Sequence, residues 1–154
     1  MIKIVNLEKK FGLNKVLNGV NLEIKDGETL TIIGGSGGGK SVLLKHMVGL
    51  LKPDSGQIFV DGEEITGLRE EKLAVVQKKF GFLFQGAALF DSLTVGENVA
   101  FGLRNLTDLN NLEIKKKVGD CLAMIGLQGI EDMKPSELSG GQRQRVAIAR
   151  SLVN

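Results

Sequence analysis

The stretch Gly34-Gly35-Ser36-Gly37-Gly38-Gly39-Lys40-Ser41 decides how the rest of the chain is read. It follows the apolar run Thr29-Leu30-Thr31-Ile32-Ile33, which reads as a buried strand, and precedes residues 42–51, which read as a helix. Strand, GxxxxGK[ST] and helix, in that order, are the context in which such a loop wraps a phosphate. Glycines at 34, 35, 37, 38 and 39 permit positive φ and let successive N–H groups approach a ligand with no Cβ in the way. Together with the positive end of the following helix they form a nest for anions. Lys40 then offers an ammonium to the β- and γ-phosphates of a nucleotide, and Ser41 a hydroxyl to Mg²⁺. A flexible linker would need neither Lys-Ser at its end nor a strand before it.

The chain has 154 residues, 42% of them hydrophobic, enough for the core of one ordinary domain. A formal charge of +2 gives no overall basic field, so nucleic acid is not an expected partner. The lone Cys121 cannot form an internal disulfide, which fits a reducing compartment. The N-terminal MIKIVNLEKKF has no signal-peptide core, and no run approaches the ~20 apolar residues that span a bilayer. A role at a membrane would therefore require a partner to carry the chain there.

Outward from the loop, residues 2–7 and 20–24 alternate apolar and polar, as half-buried strands do. Between them Phe11 is an isolated aromatic in a polar loop, either a small satellite core or a stacking face for a nucleotide base. Lys25-Asp26-Gly27-Glu28 and Lys52-Pro53-Asp54-Ser55-Gly56 read as turns. In Ile58-Phe59-Val60-Asp61-Gly62 the Asp could end a metal-binding strand, but Asp-Gly is also a hairpin signal, and the hairpin is favoured because it completes a small antiparallel sheet. Phe80-Gly81-Phe82-Leu83-Phe84 reads as a second buried strand delivering Gln85 at its carboxyl end, where ligands of open α/β sheets sit. From Gly86 onward the pattern is helical. Thr94 and Glu97 have capping-box spacing, and residues 112–125 carry apolar positions on one side and Lys115, Lys116 and Lys117 on a solvated one.

Near the C-terminus, Leu138-Ser139-Gly140-Gly141-Gln142 opens another helix. Ser139 is placed to cap it, and the two glycines leave its first turn bare enough for a phosphate; a plain capped amphipathic helix would look the same. LSGGQ at 138–142, GGSGGGKS at 34–41 and FLFQ at 82–85, in this order and spacing, resemble the nucleotide-binding subunit of ATP-binding-cassette (ABC) transporters over essentially the whole chain. Within that family, KSVLLKHMVGLLKPDSGQI and FQGAALFDSLTVGENVAFGLR are most similar to the ATPases of Mce-type lipid transporters, the group that includes the Mla phospholipid system.

The resemblance implies an α/β P-loop ATPase core with an N-terminal antiparallel β subdomain over residues 1–85, and a helical subdomain with the signature helix over 86–154. It implies that ATP and Mg²⁺ bind at Gly34, Gly35, Ser36, Gly37, Gly38, Gly39, Lys40, Ser41 and Val42. Phe11 falls at the adenine-stacking position, and Gln85, with Ser41, at the metal site. Ser139, Gly140, Gly141 and Gln142 match the signature that meets the γ-phosphate, so Lys40, Gln85 and Ser139 are the expected catalytic positions. Two subunits would pair head to tail, each cradle facing the other's signature, on the cytoplasmic face of an inner membrane beside a permease. Hydrolysis would drive transport of phospholipid or another hydrophobic substrate. A nucleotide-binding module without turnover is the alternative, and a soluble cassette ATPase of translation or repair a third.

The family's Asp-Glu strand and switch histidine follow the signature helix and match nothing here; His46, the one histidine, reads as a partly buried residue of the first helix. The expected shape is therefore an incomplete member of the fold, with roughly 14 Å open between residues 29–33 and 80–84, three spacings of about 4.8 Å, unless the sheet has rearranged.

Overall fold

The computed structural model describes residues 1–153, and the chain forms two compact units, Met1–Lys79 and the residues from Phe80 onward. The break falls ahead of the 80–85 stretch, not behind it.

The first unit is built on an antiparallel sheet. Strand β1 (Ile2–Phe11) pairs with β2 (Asn14–Ile24) on one side and β3 (Ser55–Val60) on the other, and β4 (Glu63–Glu64) follows β3, giving the order β2-β1-β3-β4. Ile4, Leu7, Leu17, Ile58 and Val60 are buried, as strand alternation requires. Register shifts on both sides of β1 around Asn6, whose φ is 47°, mark a bulge. Asn21 secures it, accepting from the Asn6 amide at 2.9 Å and donating to Asn6 Oδ1 at 3.0 Å. Gly56 makes the bulge possible, since a Cβ there would lie 2.4 Å from the Asn6 carbonyl oxygen.

The Asp61-Gly62 turn has φ of 50° and 83° between the paired residues Val60 and Glu63, a type I′ hairpin. Asp61 accepts from Lys79 Nζ at 2.8 Å, so its carboxylate closes an exposed ion pair at the hairpin tip. Helix α1 (Lys40–Met47) is shorter than the 42–51 expected at its far end and begins two residues earlier. A Schellman motif stops it: the amides of Gly49 and Leu50 donate to His46 and Lys45 carbonyls at 3.0 and 2.8 Å, with Gly49 at φ 70°. Helix α2 (Glu70–Gln77) completes the unit.

Residues 29–33 and 80–84, expected as buried strands, form no strand. Ile33 is 90% exposed and Phe84 41%. A parallel strand buried on both faces is defined by ladder partners on its edges, and among the described residues none of the four strands pairs with either segment.

In the second unit, α3 (Val95–Leu106), α4 (Asn111–Met124) and α5 (Gly140–Leu152) pack around Val95, Val99, Leu103, Val118, Leu122 and Val146. Each helix starts with a reciprocal capping box: Thr94 with Glu97, Asn110 with Glu113, Ser139 with Gln142. The Lys115–Lys117 triplet faces solvent as expected, and Cys121 is buried, its Sγ 3.7 Å from the Ala149 carbonyl oxygen. Burial pushes that thiol's pKa up. Among the described residues no helix is long and apolar enough to cross a membrane.

Candidate functional site

The phosphate loop enters α1 through Gly39, an N-cap at φ 81° with no side chain to satisfy the first-turn amides. No acidic side chain stands in that turn either. The N–H groups of Lys40, Ser41 and Val42 at the helix start therefore keep both their hydrogen-bonding capacity and the positive pole of the helix for an external anion. Of the five glycines expected at positive φ, only Gly37 (79°) and Gly39 do so. Gly38 is needed for space instead, since a Cβ there would lie 3.1 Å from the Gly35 carbonyl oxygen. At Gly39 a Cβ would meet Val16 Cγ1 and the Val16 carbonyl oxygen at 3.0 Å each, so the loop rests directly on β2. Gly34, Gly35 and Ser36 are exposed at its mouth.

Lys40 Nζ donates to the carbonyl oxygens of Gly34 and Gly35, both at 2.7 Å. The ammonium is thus folded over the loop from which it springs, fixed by the same backbone that would hold a phosphate. Ser41 is exposed and its hydroxyl has no protein partner among the described residues. That fits Mg²⁺, which takes one or two protein oxygens and completes its shell with phosphate and water.

Phe11 lies at the end of β1, paired with Asn14, and is not in a loop. Its ring is 49% exposed, with Lys9 Nζ 5.7 Å from its centroid. The ring thus lies at the surface of the same unit as the cradle, not in a buried cluster.

In the second unit Ser139 does cap α5. Its Oγ accepts from the Gln142 amide at 3.2 Å and its own amide donates to Gln142 Oε1 at 2.9 Å. Gly140 and Gly141 are exposed, and an added Cβ at Gly141 would meet nothing. Gln85 is exposed at a turn, Gln85-Gly86, and no strand leads into it. The residues brought together are therefore the cradle with Lys40, Ser41 and Val42 in one unit, and Ser139 with Gly140–Gln142 in the other.

Two residues that the sequence reading passed over organise the second unit. Asn98 is fully buried on α3, accepts from the Phe90 amide at 2.8 Å and donates to the carbonyl oxygens of Phe90 and Thr94 at 3.0 and 2.9 Å. An Asn among Val95, Val99 and Ala100 was the available signal. Arg150 donates to the carbonyl oxygens of Ala87 and Ala88 just after Gln85. His46 is fully buried, not partly: Nδ1 lies 2.7 Å from the Val42 carbonyl oxygen, and Nε2 has no hydrogen-bond partner among the described residues.

The family description "ABC transporter" matches residues 17–154. A probable sulfate/thiosulfate import ATP-binding protein of Chlorella vulgaris is 46% identical over 98% of this chain and 61% of its own length. The chloroplastic protein Trigalactosyldiacylglycerol 3 of Arabidopsis thaliana is 44% identical over 99% of this chain and 44% of its own. A spermidine/putrescine import ATP-binding protein of Haemophilus influenzae is 45% identical over 100% and 40%. The chain thus spans less than two thirds of these curated relatives. A solved dimeric ATP-binding cassette in a post-hydrolysis state, bound to ADP and Pi, superposes with a TM-score of 0.92 at 39% identity, covering 100% of this chain and 70% of that one.

Proposed function

Because the chain belongs to the ABC transporter family, we propose that it is the ATP-binding part of a transporter subunit that works with a membrane permease and binds MgATP at residues 34–42. The observation that carries this is Lys40 closed over a glycine loop whose helix start has no side-chain cap. Backbone amides would take the β- and γ-phosphate oxygens, and the Lys40 ammonium would neutralise their charge. Ser41 would help hold Mg²⁺, which when bound would supply charge neutralisation to the transferring phosphoryl group. Phe11 would stack on the adenine, and Ser139 with Gly140 and Gly141 would receive the γ-phosphate of a second subunit. Gln85 is assigned to the metal site by its match to the family's glutamine alone. Lys40→Ala should abolish MgATP binding in calorimetry without changing the unfolding midpoint. A wild-type protein indifferent to millimolar MgATP would refute the reading, and phosphate release, measured beside binding, separates turnover from binding alone.

The narrower substrate we propose is a phospholipid or other hydrophobic molecule. It is supported by the likeness of residues 40–58 and 84–104 to lipid-transporter ATPases and by the lipid in the Arabidopsis relative's name. Names built on sulfate/thiosulfate and polyamine import favour a second reading, uptake of a small hydrophilic solute. Phospholipid movement between labelled vesicles by the permease complex, compared with sulfate and spermidine uptake, decides between them. Either way the subunit would sit on the cytoplasmic face of the membrane that holds the permease.

A further inference from the structure

Directly after Gln85 the backbone is left-handed at three consecutive residues: Gly86 at φ 80°, Ala87 at 68° and Ala88 at 47°. Glycine adopts this conformation freely, but two successive alanines do not, because each Cβ crowds its own peptide. The local hydrogen bond from the Ala88 amide to the Gly86 carbonyl oxygen, 2.8 Å, closes only a tight turn. What holds the alanines comes from the far end of α5. Arg150 Nη1 donates to the Ala88 carbonyl oxygen at 2.9 Å and Nη2 to that of Ala87 at 3.1 Å, one donor for each strained residue. The guanidinium also stands 5.8 Å from the centroid of the Phe90 ring. No carboxylate pairs with it among the described residues. A cation partly withdrawn from water, with its pKa lowered by burial, is thus committed to two carbonyl dipoles and a ring face.

We propose that Arg150 is a positioning residue: it clamps the turn after Gln85 in its left-handed conformation and so ties that glutamine to the helix that Ser139 begins. Ser139 caps one end of α5 and Arg150 occupies its last turn, so a helix of 13 residues spans the two. Any shift of the signature end would be carried along the helix to the turn at Gln85. A strained turn held from outside is the kind of element whose backbone such a shift would release. The importance of this link rests on the function proposed above; the clamp itself does not, and its test uses no nucleotide.

The test is the sign of φ at Ala87 and Ala88, read by NMR from three-bond HN–Hα couplings and 13C shifts in the full chain. Wild type should show both alanines left-handed. Arg150→Gln should return them to negative φ and speed amide exchange in the turn by about tenfold or more, since both guanidinium hydrogen bonds are lost, while Val99 and Leu103 on α3 keep their protection. Arg150→Lys, which keeps the charge but lacks the fork, should restore the turn only in part. Alanines that stay left-handed in Arg150→Gln, or protection lost equally along α3, overturn the clamp. If Arg150→Gln does not fold, the double variant Ala87→Gly with Ala88→Gly replaces it. With Arg150 in place, relief of the strain should raise the unfolding midpoint, and an unchanged or lowered midpoint overturns the proposal.

Discussion

An alanine at position 39 would carry its Cβ to within 3.0 Å of both Val16 Cγ1 and the Val16 carbonyl oxygen, on a residue whose φ of 81° already disfavours any side chain. The left-handed conformation alone costs about 1–2 kcal/mol, and the contact with rigid β2 backbone adds to it. At Gly35 nothing lies within 4 Å and no positive φ is required. Urea titration should therefore show Gly39→Ala destabilised by at least about 1 kcal/mol and Gly35→Ala by no more than about 0.5 kcal/mol. Equal losses would mean that the loop is not seated on β2. Phe11 makes the opposite demand, because its exposed ring contributes little to folding. Phe11→Ala should weaken nucleotide binding by about 1–3 kcal/mol, the range of base–aromatic stacking, with the unfolding midpoint nearly unmoved. Unchanged affinity in calorimetry would remove Phe11 from the site.

Elements whose determinants are local were legible in the sequence. The caps at Thr94 and Ser139 and the Asp61-Gly62 hairpin each depend on residues two or three apart, and the structure shows all three. Residues 29–33 and 80–84 have strand composition but no strand, because strand identity depends on ladder partners that composition does not contain. Arg150 was invisible for a related reason: its acceptors lie 62 and 63 residues earlier in the chain. Within the cradle the glycine positions could be read, but not which needed positive φ and which needed space, since the loop's own path brings the Gly35 carbonyl to Gly38 and Val16 of another element crowds Gly39. The hairpin also carries a charge test. The Lys79 ammonium, and after it the N-terminal amine, hold Asp61's carboxyl well below its ordinary 3.8, at about 2. A carboxylate with a depressed folded-state pKa stabilises above its unfolded pKa and loses that contribution as pH falls through the folded one. Stability supplied by this pair should thus be complete above about pH 4 and lost towards pH 2. In Lys79→Met the fall in urea midpoint between those values should be shallower, and more so at high salt, which screens the remaining exposed charges. A slope identical to wild type would show that the pair is open in solution.

At the scale of the whole molecule, the cradle and the signature lie in separate units of one chain, and a head-to-tail pair of subunits would join each cradle to the other subunit's signature. Such a contact is isologous and closes with two copies, creating two composite sites. That geometry makes an arithmetic prediction. Lys40→Ala disables the cradle and spares the signature. Ser139→Asp keeps the cap on α5, because Asp is as good an N-cap as Ser, but sets a negative charge against an incoming γ-phosphate. Alone, each variant can assemble only dimers in which both composite sites carry one broken half, so neither should dimerise with MgATP. Mixed in equal amounts, they can form a heterodimer whose first site combines the sound cradle of the Ser139→Asp chain with the sound signature of the Lys40→Ala chain. Its second site combines the two broken halves. ATP-dependent dimer should therefore reappear on mixing; because each variant pairs only with the other, an equal mixture should approach the wild-type level at saturating protein, but at a higher protein concentration, since one sound site holds the pair in place of two. Sedimentation or light scattering, with MgATP held above its Kd for the Ser139→Asp chain, reads this directly. If the mixture stays as monomeric as its components while wild type dimerises, the phosphate is not shared between a cradle and a partner's signature, because no other pairing of these halves leaves one site whole.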